Sequence, residues 1–192
     1  TALASLTTNA GGNAIIENVN TTGSQNYGSV TNVGGNLATV DSNVQFDEAV
    51  TLANDVTISA GTGSVTFADT VNGAFDLTVL STGATTFNAA VGATNALDSL
   101  TTNAGGTLQV GDVTTTGAQR YFDAVTLGGE LATAGGEISF NESVRLIDHS
   151  SLSSNGGHIS FHGPVDGSTA GSENLTVSAG TGNMTFVAAS GQ

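Results

Sequence analysis

The sequence predicts an all-β chain wound as a right-handed parallel β-helix, in about nine or ten coils of roughly 20 residues each. Three observations carry that expectation. The first is a phrase, G-x-I-x-F-x-x-x-V-x-L, clearest at Gly136–Leu146. It recurs at Gly63–Val71, Gly83–Val91 and Gly157–Val165, with weaker copies at Ser42–Val50 and Gly117–Val125. The second is its period. Tyr27, Phe46, Phe67 and Phe87 follow one another at nearly equal intervals, and Tyr121, Phe140 and Phe161 keep the same interval. A fixed period near 20 marks units that bury their apolar faces by stacking on one another. The third is composition. Strand formers and turn formers dominate, with 27 Gly, one Pro and no extended stretch of helical periodicity.

Within one coil the phrase reads as three short strands. Ile138 and Phe140 alternate with polar residues, as do Val144 and Leu146, which is the period of a half-buried strand. A stretch such as Val56–Ser59 supplies the third strand, and Gly61, Gly63, Gly156 and Gly157 mark corners. A strand this short cannot bury its face alone. Stacked in parallel on its equivalent one coil later, about 4.8 Å away, it forms internal ladders. Val65, Phe67, Ile138, Phe140, Ile159 and Phe161 are the expected core ladder, with the phenylalanines stacked on each other.

A longer repeat contains the short one. Residues 3–29 align without gaps on 97–123 and match at 15 of 27 positions. The likeness continues through Gly34–Thr39 against Gly128–Thr133 and ends with Thr86-Phe87 against Thr185-Phe186. Two continuous solenoid units, 1–93 and 94–192, account for the chain. The main difference is an insertion that turns Gly73–Leu77 into Gly167–Leu175, expected on a surface loop. Two tandem immunoglobulin-like sandwiches are the alternative, since about 95 residues suits one such domain. They would explain the long repeat and leave the short one without a reason. The chain opens and closes inside the repeat pattern, which reads as a fragment of something longer.

Charge narrows the function. Sixteen acidic residues face only Arg120 and Arg145, with no Lys, for a net charge of −14. Nucleic acid and anionic membrane surfaces need Lys and Arg, so neither is an expected partner. With 5% aromatic residues and no aromatic girdle, insertion as an outer-membrane barrel is not expected either. No Cys is present, so disulfides and thiolate metal sites are excluded.

Few residues suggest chemistry. Glu48 and Asp69, and again Asp123 and Glu142, follow their aromatic anchors by two positions, which stacks each pair on neighbouring coils. Like charges so placed repel unless bridged. A Ca2+ ion with oxygen ligands would bridge them, helped by Asp47 or Asn141, and a solvated acidic corner is the alternative. His158 and His162 share an outward face but stand about 13 Å apart along the strand, too far for one metal. They read, with His149, as isolated surface histidines. Thr21-Thr22 and Thr114-Thr115-Thr116 do not recur in every coil, so they read as solvated strand formers and not as an ordered binding face. No catalytic arrangement stands out, and a non-enzyme without a cofactor, Ca2+ apart, is expected.

The recurring phrase, the Gly, Asn and Thr richness and the absence of Cys and Lys resemble filamentous-haemagglutinin-type adhesins and autotransporter passenger domains. That resemblance covers the whole chain as pattern and composition. It implies a right-handed parallel β-helix, secreted to the bacterial surface or beyond, serving as an extracellular fibre or adhesin stalk. Its partners would be adjacent repeats or further copies stacked end to end. A binding module for a surface glycan or host protein is the second reading. A module of that kind carries an aromatic-rich insertion, whereas the 167–174 stretch has no aromatic residue.

Overall fold

The computed structural model describes residues 1–187. Within them the chain is a three-faced solenoid in which every pairing between named strands is parallel. Sandwich domains pair their strands antiparallel, so the tandem-sandwich alternative is excluded. Face I is a nine-stranded sheet running from Leu6–Thr8 through Val65–Phe67 to Val165–Gly167. Face III is also nine-stranded, from Val19–Asn20 through Val56–Gly61 to Met184–Phe186. Face II consists of two four-stranded sheets, Asn13–Ile16 to Val71–Asn72 and Val113–Thr115 to Leu175–Ser178. Val91 joins them, bridging Val71 on one side and Val113 on the other.

Each short phrase becomes one coil. Val65–Phe67, Val71–Asn72 and Asp76–Ser81 lie on faces I, II and III in that order. Alternation puts the apolar residues inside. Val65, Phe67, Ile138, Phe140, Ile159 and Phe161 are all buried. A single continuous cluster of buried residues runs from Tyr27 to Ala179.

The aromatic residues form two ladders on different faces, where the sequence suggested one. On face I, Tyr27, Phe46, Phe67 and Phe87 stack with ring centroids 4.8, 5.0 and 4.7 Å apart. On face III, Tyr121, Phe140, Phe161 and Phe186 stack at 5.2, 5.0 and 4.6 Å. These spacings match the rung spacing of a parallel sheet, so the rings follow the backbone with little tilt. The ladder changes face because equivalent strands of the two units do. Gln25–Tyr27 lies on face I and its equivalent Gln119–Tyr121 on face III. Val30–Val33 lies on face II and Ala124–Leu127 on face I. Unit one contributes thirteen strands and the Val91 bridge before Ser99–Thr102 begins the second. Fourteen face positions are four full coils of three and two positions more. The second unit therefore starts one-third of a turn out of phase with the first.

Glycine makes the tight corners possible. A Cβ on Gly83 would lie 2.7 Å from the Gly63 carbonyl oxygen, and one on Gly136 would lie 2.6 Å from the Ala118 nitrogen. Gly157 and Gly182 face the coil before them in the same way. The column marks where successive coils approach too closely for any side chain.

Candidate functional surface

The corners show what the polar residues do. Where a strand begins, a backbone N–H points along the axis toward the previous coil. The side chain one coil earlier accepts it. Asn18 Oδ1 accepts from Asn36 N at 2.8 Å, and Asn36 Oδ1 from Thr57 N at 2.8 Å. Asn43, Asp55 and Asp112 do the same toward Ser64, Asp76 and Glu130 at 2.9, 3.1 and 2.8 Å. His149 Nδ1 accepts from Asn174 N at 3.1 Å, and His158 Nδ1 from Asn183 N at 3.0 Å. Both histidines are exposed, yet they are tied to the backbone of the following coil and are not the isolated groups the sequence suggested. Their acceptor role places the ring proton on Nε2. The signal was present in the sequence as Asn, Asp or His immediately before an apolar alternation.

The carboxylate pairs are brought into adjacent coils as the spacing requires. Phe46 is in register with Phe67, and Tyr121 with Phe140, so Glu48 and Asp69, and Asp123 and Glu142, follow paired strands on adjacent coils. Glu48 is exposed, and Asp69 Oδ1 accepts from Thr70 N at 2.6 Å. Asp123 differs from the solvated corner expected for it. It is 1% exposed and turned toward the preceding coil, where Oδ1 accepts from Gly106 N at 2.8 Å. Its Oδ2 is buried without a hydrogen-bond partner. Burial raises its pKa, and the Gly106 N–H pulls it part of the way back. Glu142, in contrast, is exposed. Among the described residues no three His, Asp or Glu side chains converge as a metal would require.

Two buried polar clusters were missed by sequence reasoning. Gln25 Nε2 donates to the Ala38 carbonyl at 2.8 Å and lies 3.3 Å from Thr21 Oγ1, while Tyr27 Oη donates to Gln25 Oε1 at 2.8 Å. The second unit repeats the arrangement with Gln119, Ala132, Thr115 and Tyr121. There the corresponding distances are 2.9, 3.3 and 3.0 Å. Thr21 and Thr115, expected in solvent, are inside. The cluster closes the sharp corner after Val19–Asn20 and after Val113–Thr115 by giving interior carbonyls a donor. The matched Thr, Gln and Tyr of the long repeat were the available signal.

The remaining surface is shallow. Where the units meet, a groove runs past Asn88, Gln109, Asp112 and Ile147. The inserted loop folds onto itself. Glu173 accepts from the Ser168 hydroxyl and, at 3.1 Å, from Thr169 N, contacts that lower its pKa. Arg120 pairs with Glu137 across one corner of face III, with both side chains partly exposed. No protein-family model, curated protein or solved structure matches the chain.

Proposed function

We propose that the chain is a structural segment of an extracellular β-solenoid fibre or adhesin stalk, stacking end to end with further repeats. One observation carries the reading: the two units join without a linker. Strand Asp76–Ser81 pairs directly with Ser99–Thr102, and Ala84–Phe87 with Thr107–Val110. The junction is hydrogen-bonded like the coils within a unit, so the units transmit bending and tension as one rod. Nine rungs at about 4.8 Å make that rod roughly 40 Å long. The corners are short and tied to their neighbours, and the one sizeable insertion is bonded to itself rather than offered to a ligand. Both features suit a spacer better than a glycan- or protein-binding module.

Two measurements test this. Small-angle scattering should give a single rod with a constant cross-section, and two lobes moving independently would overturn the continuity. An antibody against the chain should label intact source cells or the fibres they release. Labelling that needs lysis would overturn the extracellular placement.

A further inference from the structure

The side chains that tie one coil to the next are Asn or Asp along most of the solenoid, as at Asn36, Asn43, Asp55 and Asp112, and histidine at one boundary. The difference is chemical. A carboxamide does not titrate, and an aspartic acid that takes a proton still has a carbonyl oxygen to offer. An imidazole that takes a second proton has no acceptor left, because both ring nitrogens become donors. A corner bond made by histidine therefore exists only while the ring is neutral.

Both histidine bonds fasten the same coil. His149 Nδ1 accepts from Asn174 N at 3.1 Å, where the chain enters Leu175–Ser178 on face II. His158 Nδ1 accepts from Asn183 N at 3.0 Å, where it enters Met184–Phe186 on face III. The carbonyls of the same two asparagines accept from Ser150 N and Ile159 N, both at 2.9 Å. Each strand is thus entered through a two-way bond, half of which belongs to an imidazole. In the long repeat His149 stands in the place of Asp55, which makes the same bond to Asp76 N, and His158 in the place of Ser64.

The charged groups around the two rings are acidic apart from one arginine. Asp148, next to His149 in the chain, Asp112 and Glu130 from the coils before it, and Glu173 from the coil after it all stand at His149. Glu137 precedes the strand in register with the one His158 precedes, and it is paired with Arg120. His162 closes the same strand, and residues 179–187 of the following coil contain no charged side chain.

We propose that His149 and His158 form an acid-sensitive clasp. It holds the coil carrying Leu175–Ser178 and Met184–Phe186 while the rings are neutral, and it releases that coil when they are protonated. Each imidazolium sets an N–H against an N–H, and the carboxylates beside it draw the ring away. The clasp is complete above the ordinary histidine range, about pH 6.5, and is lost as pH falls through it. The inserted 167–174 loop rejoins the sheet at Asn174, so its return is freed with the clasp. Its other end stays fixed by Ser168 N, which donates to the Leu146 carbonyl at 2.7 Å. The Ser168 and Thr169 contacts that lower the pKa of Glu173 outlast the histidine step, so the loop moves as one folded piece.

Amide exchange by NMR on the whole chain, from about pH 8 to about pH 5, tests the clasp. After correction for intrinsic exchange, the Asn174 and Asn183 amides should each lose about fivefold in protection as the imidazole resonances titrate. The Thr57 and Asp76 amides, bonded to Asn36 and Asp55, should not change. His149→Asn should abolish the loss at Asn174 alone, and His158→Asn the loss at Asn183 alone, because asparagine supplies an acceptor at every pH. Protection at both amides that stays constant while the rings titrate would overturn the clasp. So would rings that stay neutral throughout the range, or an equal loss in the asparagine variants, which would place the pH response in the surrounding carboxylates.

Discussion

Phe140→Ala gives a direct measure of how much the aromatic ladder contributes. Phe140 is 0% exposed and lies between Tyr121 and Phe161, with centroids 5.2 and 5.0 Å away. Its removal leaves a ring-sized void between rungs that backbone hydrogen bonds hold about 4.8 Å apart, which cannot collapse to fill it. The cost should lie at about 3–5 kcal/mol. Phe186→Ala provides the comparison. That ring stacks on one neighbour only and is half exposed, so its loss should cost about 1–2 kcal/mol, from partial burial and one stacking contact. Urea denaturation followed by tyrosine fluorescence reads both, because the chain has two Tyr and no Trp. A Tyr27→Phe background leaves Tyr121 as the sole reporter, inside the perturbed unit. In a stack whose coils contact mainly their neighbours, Phe140→Ala should unfold unit two ahead of unit one and split the transition when both tyrosines report. Equal costs for the two substitutions, or a loss below about 1 kcal/mol for Phe140→Ala, would refute ladder stacking as the source of core stability.

Other substitutions address the corners and the buried polar groups. Gly136→Ala should cost about 1–3 kcal/mol or block folding, because its Cβ meets the Gly117–Ala118 backbone; Gly111→Ala, whose nearest neighbour would be 3.8 Å away, should change the urea midpoint little. Gln119→Leu strands the Tyr121 hydroxyl and should cost about 1–3 kcal/mol, while Gln119→Leu/Tyr121→Phe should recover part of that in the same titration. Asp123 has a folded pKa above its unfolded one, so its proton is held more tightly in the fold. Its contribution is most favourable below the unfolded value near 4 and is lost as pH rises through the folded value. Asp123→Asn should therefore raise the melting temperature at pH 7, with the gain shrinking toward pH 3; an equal gain at both would show that the carboxyl is not buried in its charged form.

The sequence by itself determined the solenoid. Alternation fixed which residues of each phrase point inward, as at Ile138 and Phe140, and the recurrence of the phrase fixed that each copy stacks on the next. Both are local properties, readable because a strand has period two whatever surrounds it. What only the tertiary structure decided is where around the axis each phrase sits. A strand's face depends on the summed length of every corner before it, and coils vary. The chain takes a longer path from Thr85 to its in-register partner Leu108 than from Leu108 to the next partner, Val125. The long stretch between Phe87 and Tyr121 therefore concealed a change of face, and one expected ladder became two. Asp123, Thr21 and Thr115 lie inside for a local reason. Polarity alone assigns such residues to solvent, but a corner that buries unpaired backbone carbonyls draws a polar side chain inside.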